Sequence, residues 1–560
     1  MRLRRFFACS LPLVLVAACS RGEPTAAPVE GPDGGTLVVA EPGDADNLLP
    51  PVTASILGHA VADLVYDHLA EIGDGMQTTG DVGFKPQLAD SWTWAPDSMS
   101  VAFHLNPRAR WHDGVPVRAA DVRFSLALYK NPKLGSAIAP LLSNVDSVTV
   151  KDSLTAVAWF HAKTPESFFN IVYQLWVLPA HLLDTIPPER LATSETVRHP
   201  VGSGRFRFEK WDPGSQLVLV ADTGNYRGRA KLDRVIWAIA PDNNAAFTQL
   251  LSGEADLLEI ATPDQLKAAA SHPALAPFVW PSLQYVFLGM NFRDAAHPAQ
   301  PSPFFSDLRV RRAVSMAIDR HAMLRNVFDS LGAISYGPFP RSLATADTTL
   351  RLPPYDPAHA QALLDSAGWM AGPGGVRRRG GRPLQIRLIV PTSSAFRMSY
   401  AVLIQDALRK VGIACDIDAE QFPSFFAKQA AGNFDLVLAG YGTDPNAGGA
   451  QQEWGSDAMP PGGLNYLRYS DPRFDAMLDS ASASFDAAAA RRYASRAYQV
   501  IADDAPGVWL YDAVAYGLIS RRFHLPAMRP DGWWQHLADW TVPIDQRIDR
   551  DRIGLGSPTH

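Results

Sequence analysis

Few residues in this chain are spaced for chemistry. It has no G-x-x-x-x-G-K-[ST] phosphate loop, no H-E-x-x-H zinc helix and no C-x-x-C pair. Ser203 sits in Val201-Gly202-Ser203-Gly204, which is not a nucleophile elbow. The fourteen histidines are dispersed, and His104 and His112, eight apart across an expected turn, suit local hydrogen bonding better than metal ligation. No catalytic residue, metal site or cofactor is assigned, and an enzyme is not expected. Binding chemistry is better represented. In Asp435-Leu436-Val437-Leu438-Ala439-Gly440-Tyr441-Gly442-Thr443-Asp444-Pro445 the apolar run reads as a buried strand, after which two glycines leave the backbone exposed. Asp444 ends that segment either as a carboxylate for a cationic group or as a turn residue capping its own backbone before Pro445.

The elements that must position these groups alternate in type. Strand-like runs at 36–40, 100–105, 216–221, 235–240 and 384–390 interleave with helical patterns at 310–328, 356–367 and 400–410, which makes the class mixed α/β. Asp356 as N-cap, Pro357 at the first helical position and Gly368 as a stop punctuate one helix consistently. Residues 372–382 hold five glycines and four arginines between a helix and a strand, the composition of an exposed hairpin.

The N-terminus carries a different signal. Arg2, Arg4 and Arg5 precede an apolar run ending in Val16-Ala17-Ala18-Cys19, a run too short to span a bilayer core of about 30 Å. Residues 1–18 are expected to be a lipoprotein signal peptide and Cys19 the lipidated first residue of an extracytoplasmic protein. Residues 19–35, rich in Pro, Gly, Glu and Ala, read as a flexible tether.

Removing residues 1–18 leaves 542 of the 560 residues, enough for two lobes with sizeable cores. Losing the three signal arginines takes the net charge from −6 to −9, which argues against nucleic acid as a partner. Cys9 leaves with the signal and Cys19 takes lipid, so Cys415 has no partner for a disulfide.

Several blocks, in order, resemble the family 5 extracytoplasmic solute-binding proteins, the dipeptide and oligopeptide receptors of ABC importers. The most diagnostic is Phe84-Lys85-Pro86-Gln87-Leu88-Ala89-Asp90-Ser91-Trp92, followed by Phe103-His104-Leu105 and Trp111-His112-Asp113-Gly114-Val115-Pro116 running on to Asp121-Val122. Val201-Gly202-Ser203-Gly204-Arg205-Phe206, Asn225-Tyr226 and Leu251-Ser252-Gly253-Glu254-Ala255-Asp256 are similar to three further blocks. Another runs from Phe304 through Arg309, Arg311 and Arg312 to Asp319-Arg320, where ion pairing and helix capping are the expected roles.

The resemblance implies a bilobal periplasmic-binding-protein-like fold with two mixed α/β lobes, an extra subdomain in the first lobe and a hinge of two crossing strands. The expected limits are 36–283 for lobe I with its subdomain, 284–515 for lobe II, 516–550 for the return to lobe I and 551–560 for a tail. It implies a receptor, expected as a monomer, that passes short peptides to ABC permease subunits, and with Cys19 lipidated the lipid anchor is its only hold on the membrane. A metal chelate, haem, oligosaccharide or opine-like solute would fit the same fold. In peptide-binding relatives the segment like Gly440, Tyr441, Gly442, Thr443 and Asp444 pairs with ligand backbone, and the aspartate takes the α-ammonium. The loop at Thr53, Ala54 and Ser55 is similar to one that offers backbone groups from the first lobe, although Leu49 stands where the family has an acidic residue. Arg397, expected just before the helix from Tyr400, corresponds to an arginine that holds a ligand carboxylate, and Tyr441, Trp454 and Tyr466 are expected as cleft walls.

Overall fold

The computed structural model describes residues 33–552 apart from 330, 447, 462 and 514. Cys19 and the signal peptide lie outside the described residues. Gly34 and Gly35 are already bonded to the fold, through Lys231 O at 2.6 Å and the Asp233 carboxylate at 3.2 Å, so the domain begins before the expected end of the tether. At the other end Asp551 is buried, pairs with Arg522 and accepts from Thr36 N at 2.7 Å, so it belongs to the fold rather than to a tail.

A seven-stranded sheet runs, in spatial order, Leu275–Trp280, Ala515–Ser520, Leu257–Leu258, Thr36–Glu41, Arg234–Ile239, Gln216–Ala221 and Phe206–Asp212. A separate antiparallel sheet of Ala89–Trp94, Ser100–Leu105, Thr155–Phe160 and Val145–Asp152 accompanies it. The third large sheet orders Ala414–Glu420, Gln385–Pro391, Leu436–Gly442, Gln284–Met290 and Gly507–Asp512. The chain leaves the seven-stranded sheet at Trp280, enters the five-stranded one at Gln284, and returns between Asp512 and Ala515. The two connections are bonded to each other, with Ser282 Oγ donating to Ala513 O and Ala513 N to Gln284 O.

The five-stranded sheet is apolar on both faces, as a strand buried on both sides requires. Leu436, Leu438, Val286, Leu288 and Leu510 join one core with residues of the helices Leu308–Ala317 and Ala395–Lys410. Val437, Ala439, Tyr441, Tyr285 and Phe287 join another with Trp454, Tyr498 and Trp509. Full burial of each such leucine, valine or phenylalanine contributes about 1.5–3 kcal/mol.

The family blocks have local reasons. A methyl group on Gly202 would lie 1.8 Å from Val65 O, and one on Gly204 would lie 2.3 Å from Leu64 O, so only glycine lets these backbones approach. His112 Nε2 bonds Gly204 O at 2.9 Å, and Gly114 turns with φ +88°. Asp67, fully buried, accepts from Ser203 Oγ at 2.9 Å and Tyr226 Oη at 3.0 Å and pairs with Arg227. Arg309 pairs with Asp307 and Arg311 with Asp504, so this basic cluster is structural.

Helix punctuation decides the differences from the expected elements. The pattern at 310–328 is two helices, Leu308–Ala317 and Arg320–Phe328, because Asp319 accepts from Ala322 N at 2.9 Å and caps the second. The helix expected from Tyr400 starts at Ala395, capped by Ser394, so Arg397 stands in its first turn rather than before it. The Arg378–Arg379 and Arg382–Pro383 strands form the expected hairpin around Gly380 and Gly381, with φ of +56° and +82°.

Candidate functional site

A cavity of about 730 Å³ opens where the ends of the two large sheets meet. Its second-half wall is the end of the strand Leu436–Gly442. That strand pairs along its whole length with Gln284–Met290, whereas its ladder with Gln385–Pro391 stops at Ile389 opposite Val437. From Leu438 onward, that side has no strand partner among the described residues. An unpaired strand edge facing a cavity can accept an extended backbone.

Two opposite charges line this cavity without opposite charges of their own. Asp444 is half-buried and accepts one side-chain hydrogen bond, from Gln174 Nε2 at 3.2 Å, with no cation paired to it among the described residues. Burial raises its pKa above the usual carboxylate value, and the Gln174 bond only partly opposes this. Arg397 is likewise half-buried, and burial lowers its pKa while the Tyr511 phenol opposes the shift. A methyl group on Gly440 would meet Val286 Cγ2 at 3.1 Å and Arg397 Nη2 at 3.4 Å, so glycine lets the guanidinium lie against the strand.

Of the expected ligand contacts, Arg397, Gly442, Thr443 and Asp444 line the cavity. Gly440 lies next to it. Strand alternation turns Tyr441 to the opposite face, where its hydroxyl donates to Leu464 O at 2.6 Å. Trp454 is fully buried and donates to Tyr285 Oη at 2.8 Å, and Tyr466 packs edge-on to Phe426, so these three aromatics are core rather than wall. The amides of Ala54 and Ser55 both donate to the Asp46 carboxylate, at 2.8 and 3.1 Å. Ser55 also caps the helix Ile56–Val65, and of this loop it is Ile56 that reaches the cavity.

The cavity's aromatic side chains instead include Tyr173, Trp280, Phe328, Phe396, Tyr511, Tyr516 and Trp534. Together with Gln174 and Glu259 they come from segments far apart in the chain. The only local signals were polar residues ending apolar runs, as in Val172-Tyr173-Gln174, and the paired tryptophans of Gly532-Trp533-Trp534. Asp531, also on the wall, is held by Arg529, and Glu453 accepts from the Tyr285 hydroxyl. Among the described residues, no group of three or more His, Cys, Asp or Glu is placed to hold a metal ion, and no helix is long and apolar enough to cross a membrane.

Residues 83–457 match the family model described as bacterial extracellular solute-binding proteins, family 5 Middle. A Brucella melitensis protein provisionally named as an ABC transporter peptide-binding protein is 27% identical over 472 residues, covering 81% of this chain and 84% of its own. The oligopeptide-binding protein AppA of Bacillus subtilis, solved with a nonapeptide, superposes with a TM-score of 0.70 at 23% identity, covering 91% of this chain and 99% of that one. NikZ of Campylobacter jejuni, solved with Ni(L-His), gives 0.72 at 23% identity over 90% and 99%. With well over half of its length inside the family model and its mixed α/β architecture shared with these periplasmic binding proteins, the chain belongs to the bacterial extracellular solute-binding proteins of family 5.

Proposed function

We propose that this protein is a lipid-anchored, monomeric receptor that binds short peptides in the 730 Å³ cavity and delivers them to the permease of an ABC importer, with no chemistry on the ligand. The observation that carries this reading is the pairing of an unmatched carboxylate and an unmatched guanidinium beside an open strand edge. A peptide supplies all three complements. Its α-ammonium meets Asp444, its carboxylate meets Arg397, and its backbone extends the sheet beyond Leu438. Backbone pairing favours affinity without reading side chains, and the cavity falls in the usual size range for small-ligand sites. The peptide-binding names of the Brucella and Bacillus relatives support the same class of solute.

In this reading the two lobes, 36–283 with 516–550 and 284–515, close about the connections at Ser282 and Ala513, and contacts to both lobes stabilise the closed state. Tripeptides should raise the melting temperature and shrink the radius of gyration in solution scattering. At 100 times its dissociation constant a ligand adds about 2.7 kcal/mol of stability. A scattering profile unchanged at saturation would contradict closure. If free peptides fail to bind, the cavity belongs to another solute.

A further inference from the structure

Glu259 lines the same cavity from the opposite sheet, directly after the strand Leu257–Leu258, and its residue is only 8% exposed. No cation pairs with it among the described residues. Its backbone is fixed by the neighbouring strand, where a methyl group on Gly517 would lie 2.5 Å from Glu259 O.

The remaining charges of the cavity leave an imbalance. Asp531 is taken by Arg529 and Glu453 by the Tyr285 hydroxyl, so two carboxylates, Asp444 and Glu259, face one guanidinium, Arg397. A peptide with uncharged side chains would answer Asp444 and Arg397 with its two ends and leave Glu259 without a cation. Without a partner a buried carboxylate is costly to ionise, whereas a cation beside it stabilises the charged form, and a cation close to aromatic rings is favoured. We infer that the preferred solute carries a second cation, a lysine or arginine side chain, which docks on Glu259 beside Trp280, Tyr516 and Trp534. This inference rests on the peptide reading and adds the side-chain class that the site selects.

The test is calorimetry of trialanine and of the three tripeptides with one lysine and two alanines, each also with the lysine Nε-acetylated, on the wild type and Glu259→Gln. At least one lysine position should bind about tenfold tighter than trialanine, and acetylation should remove that advantage. Glu259→Gln should remove it too, so that the lysine peptides bind the variant no tighter than their acetylated forms do. If the variant does not fold, the acetylated peptides on the wild type decide alone. Trialanine binding as tightly as every lysine peptide would overturn the role of Glu259 and leave the peptide reading intact. Failure of every peptide to bind would overturn both.

Discussion

The Gln174 side-chain amide donates to the Asp444 carboxylate at 3.2 Å, linking the end of the helix Ser167–Tyr173 to the end of a strand in the five-stranded sheet. The link joins parts of the chain that the peptide reading assigns to opposite lobes. It is also a neutral donor on a charge that burial has partly stripped of water. Replacing it with an ammonium would exchange an ordinary hydrogen bond for a charge-assisted one, roughly twice as strong. On the peptide reading, Gln174 is a weak internal substitute for the ligand's amine.

Gly202→Ala tests the scaffold under the site. Its methyl group would fall 1.8 Å from Val65 O, and the backbone on both sides is held by His112. A destabilisation of about 3 kcal/mol or more is expected by urea denaturation. An unchanged midpoint would contradict the close backbone approach.

Stability should fall as pH rises from about 5 to 8. Burial pushes Glu259 up to about 7, and burial with the Glu259 charge pushes Glu41 up to about 8, both from an ordinary 4.5. Between the unfolded and folded values the folded state holds protons that the unfolded state has released, so the folded state loses ground as pH climbs through that window. Urea midpoints measured across it should decline in the wild type and less steeply in Glu41→Gln. Parallel declines in the two proteins would show that Glu41 does not titrate as its surroundings require.

Arg397→Gln should weaken peptides with a free C-terminus by about tenfold or more and leave their C-terminal amides within about threefold, because only the free acid loses a charge-assisted partner. Equal losses for acid and amide would mean that Arg397 supports the helix start rather than the ligand.

Cys19→Ser should release the protein from the membrane fraction, since the apolar run before Cys19 is short and ends in small residues. Protein that stays bound after a high-salt wash would be held by something other than a lipid on Cys19. More than one acyl chain is expected, because a single chain binds only marginally.

Much of the fold was legible because its signals are local. Short apolar runs mark the strands Ser100–Leu105 and Gln216–Ala221 at their observed limits, and Asp356, Pro357 and Gly368 bracket the helix Pro357–Ser366. The break at Asp319 was harder to see, because apolar periodicity continues across a capping residue. In the site, Asp444 and Arg397 stand in contiguous segments with family counterparts, whereas Gln174, Glu259 and Trp534 meet them only through the folded topology. The aromatics Tyr441, Trp454 and Tyr466 show the limit of proximity in sequence. Lying near the site does not say whether a side chain faces it or the core, and all three are buried in the core.

The most direct measurement is a binding cycle on Asp444, using calorimetry of a free and an N-acetylated tripeptide on the wild type and Asp444→Asn. The variant keeps the side-chain shape and removes its charge, which should weaken the free peptide by roughly 2–5 kcal/mol, about 30-fold or more. Acetylation should cost the wild type a similar amount and cost the variant little, because the two changes remove the same ion pair. Additive losses from mutation and acetylation would contradict the account, showing that the peptide's amine does not meet Asp444.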